Sequence, residues 1–76
     1  MPLPAFIEAL AERDPEFYQA VKAVATTAMA PGALDAKTKT LITLALDAAL
    51  GASEGVAVLA KQARALGASE DEIRET

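Results

Sequence analysis

Residues 34–67 read LDAKTKTLITLALDAALGASEGVAVLAKQARALG, and this stretch decides the fold. It divides into two helical halves, each followed by a glycine. In the first half no Gly or Pro occurs from Ala36 to Leu50, so nothing interrupts a helix there. Asp35 stands at the N-cap, where its carboxylate can accept from the free N–H groups of the first turn. Lys39, Thr43 and Asp47 recur at the i, i+4 interval and make one polar stripe. Leu41, Ile42, Leu44, Ala45, Leu46, Ala48, Ala49 and Leu50 cover most of the remaining circumference. A helix apolar over so much of its surface needs more neighbours than one small bundle supplies. Gly51 ends it.

The second half places Val56, Leu59, Ala60, Ala63 and Leu66 on one stripe, the i, i+3, i+4, i+7 pattern of an amphipathic helix. Lys61, Gln62 and Arg64 lie off that stripe and are expected to meet water. Ser53 is the expected N-cap, with Glu54 in the first turn where negative charge suits the helix dipole. Gly67 fits the left-handed position that closes a helix.

Working outward, Pro31-Gly32 turns the chain into the central helix. Before it, Asp14-Pro15 is a helix start, and Phe17, Val21, Val24 and Ala28 form the expected core stripe of a helix over 15–29. Pro2 and Pro4 begin an extended lead-in to a short helix over 5–13, with Phe6, Ile7 and Leu10 inward and Glu8 and Glu12 outward. After Gly67, Ser69 and Glu72 make a capping box with Asp71 beside them. The helix so announced has only about two turns before Thr76, which is short for independent stability.

The 76 residues are expected to form one all-α domain over 1–76, with four helices near 5–13, 15–29, 36–50 and 54–66 and a helical stub from Glu70. The apolar fraction is 53 %, much of it Ala, and the only aromatics are Phe6, Phe17 and Tyr18, so close helix packing replaces bulky filling. A net charge of −4 with scattered basic residues argues against a nucleic-acid partner. There is no Cys, hence no disulfide, and no signal-peptide pattern in MPLPAFIEAL, so a cytoplasmic location is expected. The longest uncharged run, Ala23 to Leu34, contains Pro31 and Gly32, which excludes a membrane span.

The run KTKTLITLALDAALGASEGVAVLAKQARALGASEDEI resembles the core of the carboxymuconolactone decarboxylase and alkyl hydroperoxidase D superfamily. The likeness rests on the charged, leucine-rich helix, the short break after Gly51 and the Ala63–Gly67-Ala-Ser spacing before an acidic helix start. It implies a helical bundle of the alkyl hydroperoxidase D type, decarboxylase or peroxiredoxin-type activity, and symmetric trimers or hexamers. It also implies a further apolar helix beyond Thr76, as if the chain were shortened there. In the peroxidase branch the break carries Cys-x-x-Cys-x-x-x-His, with a Glu on the preceding helix. A thiolate gains there from the helix N-terminus, while His and Glu relay its protons. Aligned on Gly51 and Gly67, the two Cys positions fall on Ala52 and Gly55, the His on Leu59 and the Glu on Thr40. All four are replaced, and the chain contains no Cys or His at all. With neither thiol nor imidazole, the dithiol cycle has no nucleophile and no base poised near neutral pH.

Several groups read two ways. Thr40, Thr43 and Asp47, with Glu54 as a second carboxylate, make a remodelled pocket, or else a plain polar face whose threonines bond their own i−4 carbonyls. Glu70, Asp71 and Glu72 hold a divalent cation or simply cap their helix; without a Gly-bearing calcium loop, capping explains them better. Lys37 and Lys39 bind an anion near the central helix N-terminus or are solvated. Tyr18 sits at a contact or pocket mouth, or packs half-buried. Two function classes follow: a non-catalytic, self-associating or ligand-binding module of the superfamily, or an enzyme using that carboxylate/threonine pocket. No cofactor, metal, membrane or nucleic-acid partner is expected in either case. A homo-oligomer is expected, because the helix Ala36–Leu50 is apolar on nearly every side.

Overall fold

The computed structural model describes residues 3–76, and all regular structure among them is helical. The chain divides into two compact units, one ending at Ala30 and the other running from Pro31 to Thr76.

In the first unit α1 covers Ala5–Glu8, α2 Leu10–Arg13 and α3 Pro15–Met29. The expected helix over 5–13 is therefore present with one interruption, at Ala9, whose φ of −64° and ψ of −20° stay helical. Pro4 is extended, as the lead-in requires, while Pro2 lies outside the described residues. Asp14 cannot remain helical before Pro15 and swings to φ −147°, from where its carboxylate accepts from Phe17 N–H at 3.2 Å. Ala30 is extended for the same reason, since Pro31 follows, and α3 stops there.

The inward face of α3 differs from expectation by one position. Tyr18 is buried, and Val21, Ala25 and Met29 are half-buried, whereas Phe17, Val24 and Ala28 are exposed. The reason lies in the tyrosine's polar end: its hydroxyl donates to the Glu8 carboxylate at 3.0 Å, tying α3 to α1. Phe17, with no such partner, faces out. Phe6 is likewise 72 % exposed, leaving Ile7 and Leu10 as the half-buried residues of the N-terminal pair.

In the second unit α4 spans Ala36–Ala49, α5 Ser53–Ala65 and α6 Glu70–Glu75. Asp35 caps α4, accepting from Thr38 N–H at 2.7 Å. Gly51 (φ +75°) and Gly67 (φ +94°) take the left-handed conformation that residues with a Cβ resist. Each closes a doubly bonded helix end: Ala52 N–H reaches Asp47 O (2.8 Å) and Gly51 N–H reaches Ala48 O (3.2 Å). After α5 the same pair runs from Ala68 to Ala63 (2.9 Å) and from Gly67 to Arg64 (3.0 Å). Between α4 and α5 only residues 50–52 intervene, so the two helices form a hairpin.

Leu44, Leu59 and Ala60 are the heart of this unit, with Val56 and Ile73 packed against them and Ala63 fully enclosed. Burying each leucine contributes about 2 kcal/mol. Ile73 brings α6 into the same cluster, which is why six residues hold as a helix. The capping box is complete, with Glu72 N–H on Ser69 Oγ (3.0 Å) and Ser69 N–H on Glu72 Oε1 (2.8 Å). Arg64 holds Glu70 with two hydrogen bonds, and Lys37 reaches Glu72 at 3.0 Å. No helix among the described residues is long and apolar enough to cross a membrane.

Candidate functional site

The break between α4 and α5 is where the family resemblance places its chemistry. Ala52, exposed, is the N-cap residue of α5 and offers no side-chain cap; Ser53, expected at that position, is instead the first helical residue. Gly55 lies in the first turn of α5, directly against the Asp47 carboxylate of α4. That contact sets the hairpin's register. Counting equal rises along the two antiparallel helices, Thr43 comes level with Leu59, and Thr40 with Gln62.

Leu59, at the position implied for the imidazole, is buried against Leu44. Thr40, at the position implied for the glutamate, is only 2 % exposed, and its hydroxyl donates to Ala36 O at 2.8 Å. Thr43 is half-buried and donates to Lys39 O at 2.9 Å. Both threonines thus bond back into their own helix. Asp47 is half-buried over Gly55, and Glu54 is exposed in the first turn of α5. Of the four candidate pocket residues, the structure brings Asp47 against Gly55 in the first turn of α5, while Thr43 and Thr40 lie one and two turns away from Asp47 along α4.

Gln62 is the residue that pattern reading misses. Expected to meet water, it instead has a buried Nε2 with no hydrogen-bond partner. A buried amide left without a partner is unfavourable by about 1–3 kcal/mol. The signal was present in the spacing: Gln62 lies three residues after Leu59 and next to Ala63, both buried, whereas Leu66, expected on the inner stripe, is 47 % exposed.

The charged groups of α6 pair with neighbours in the fold. Glu72 sits below the usual carboxylate range, chiefly because Ser69 N–H donates to it and then because of Lys37. Glu70 is lowered by Arg64, whose guanidinium is raised in turn. Asp71 pairs with Arg74 at 3.3 Å. Among the described residues no group of three or more acidic side chains could hold a metal ion. Lys37, a candidate for anion binding, spends its charge on Glu72. The Tyr18 hydroxyl is held above its usual range, first by donating to Glu8.

The model of the carboxymuconolactone decarboxylase family matches residues 15–76 of this chain. The chain belongs to that family. The match begins at α3 and runs through α6, so it includes the whole α4–α5 hairpin and the break where family members are expected to carry their chemistry. Neither the curated proteins nor the solved structures compared with the chain gives a match. This member has Thr40, Ala52, Gly55 and Leu59 at the positions that the resemblance assigns to catalysis.

Proposed function

We propose that this chain is a non-catalytic member of the carboxymuconolactone decarboxylase family, a helical module that works by self-association. One observation carries the first half: the chain has no Cys and no His, and the site positions are filled by a hydrocarbon, a hydroxyl bonded to its own helix, an alanine and a glycine. The thiol nucleophile and the imidazole base of the family pattern are both lacking. What supports the second half is the outer side of α4. Ile42 and Leu46 lie roughly opposite buried Leu44, and with Leu50 they form an apolar stripe exposed at 47, 58 and 81 %. Soluble monomers rarely leave such a stripe uncovered. The module assembles as a trimer or hexamer, residues 1–76 act as one domain, and the protein works in the cytoplasm, where a chain without disulfides is at no disadvantage.

A second reading has Gln62 in its favour: an enzyme acting through a remodelled pocket of Thr40, Thr43, Asp47 and Glu54, with the unpartnered amide of Gln62 level with Thr40. The two are separated by assaying purified protein against carboxymuconolactone and against hydroperoxides with a dithiol reductant. No turnover above the blank is expected. Turnover by metal-free protein that disappears in Asp47→Asn would establish the second reading and remove the first.

A further inference from the structure

Three glycines bracket or begin α5, but they are not there for the same reason. Gly51 and Gly67 have positive φ. Gly55 does not; it sits in ordinary helical backbone, where glycine is a poor choice against alanine. What it lacks is what matters. A Cβ built on Gly55 would collide with Asp47 Oδ2 and come within 3.0 Å of Asp47 Cγ and 3.6 Å of Asp47 Cβ. Nothing comparable lies within 4 Å of Gly51 or Gly67.

We propose that Asp47 is a built-in plug of the α4–α5 break: its side chain fills the volume that any side chain at position 55 needs, and Gly55 is the residue that lets it sit there. The pair is a coupled unit. While Asp47 is seated, position 55 cannot carry a Cβ without displacing that carboxylate. This deepens the non-catalytic reading and rests on it, since it explains why position 55 cannot bear a reactive group unless Asp47 first gives way.

The test is a thermal-unfolding cycle of Gly55→Ala, Asp47→Ala and the double variant. Freed of a steric conflict, Gly→Ala inside a helix raises Tm of a chain this size by roughly 4–8 °C. That gain is expected on the Asp47→Ala background and absent, or reversed, in the otherwise unaltered chain. Asp47→Asn, which keeps the shape and removes the charge, should block the gain as Asp47 does; it also serves if Asp47→Ala does not fold. An equal rise in Tm from Gly55→Ala with Asp47, Asn or Ala at position 47 would overturn the plug. Activity assays do not enter this cycle, so its failure leaves the non-catalytic reading standing and is distinguishable from a failure of that reading, which only turnover would show.

Discussion

At the scale of single residues, Leu59 and Thr40 are the two site positions that are most buried. Leu59 is one of the few well-buried side chains, so Leu59→Ala should cost about 2–5 kcal/mol, enough to abolish a cooperative transition in so small a core. Circular dichroism melts would check this, and a loss below 1 kcal/mol would show that the cluster is not the centre of the fold. Leu59→His together with Thr40→Glu, which would restore two of the four positions of the peroxidase pattern, should also lower stability, since both positions are buried. The titrations have a definite sign. Asp35, Glu70 and Glu72 are all lowered by hydrogen bonds made only in the folded chain. The folded form thus binds fewer protons than the unfolded one between the folded and the ordinary values, 3.8 for Asp and 4.5 for Glu. Their contribution is complete above about pH 4.5 and disappears as the pH falls through the lowered values. Urea midpoints at pH 7, 4 and 3 should fall in that order, and Glu72→Gln should flatten the slope.

At the scale of elements, the helix ends were legible because the groups that stop helices are local. Asp14, Asp35 and Ser69 cap where their side chains predict, and Gly51 and Gly67 close α4 and α5. The face of α3 was not legible, because Phe17 and Tyr18 are adjacent and both apolar in bulk; only Glu8, ten residues away, decides between them. The start of α5 misled for a related reason. Ser53 has the chemistry of a cap, but the close of α4 through Gly51 and Ala52 places it inside the helix. Since Ala52 is left at the cap without a side-chain acceptor, Ala52→Ser should stabilise α5 by roughly 1 kcal/mol. A raised Tm would show it; an unchanged or lowered one would mean the Ala52 backbone, at φ −81° and ψ 72°, cannot present the hydroxyl. Ser69→Ala should act oppositely and locally, speeding amide exchange across 70–75 while α4 and α5 keep theirs.

At the scale of the whole molecule, the candidate site was half legible. That the thiols and imidazole are missing is plain from the letters alone. That Asp47 presses on Gly55, and that the Gln62 Nε2 is buried without a hydrogen-bond partner, depends on how closely two helices approach, which no periodicity reports. Assembly is tested here. Sedimentation at micromolar concentration should show a species well above the 7.8 kDa of one chain. Leu46→Lys should break it up while leaving helical content intact, because Leu46 is largely exposed in the single chain. A single species at 7.8 kDa for the unaltered protein would remove self-association from its function.

The three-residue link between α4 and α5 also has a meaning in time. Leu44 and Leu59, the pair at the centre of the second unit, are separated by only fifteen positions, so their meeting requires closing a loop of tens of nanoseconds to microseconds rather than a search along the chain. On a ribosome adding roughly ten residues each second, the hairpin would complete itself many times over before the next amino acid arrived. Refolding from urea should accordingly outrun a stopped-flow mixer and demand temperature-jump methods. A phase lasting seconds would point to a slow step outside this hairpin, with assembly the first to examine by varying protein concentration.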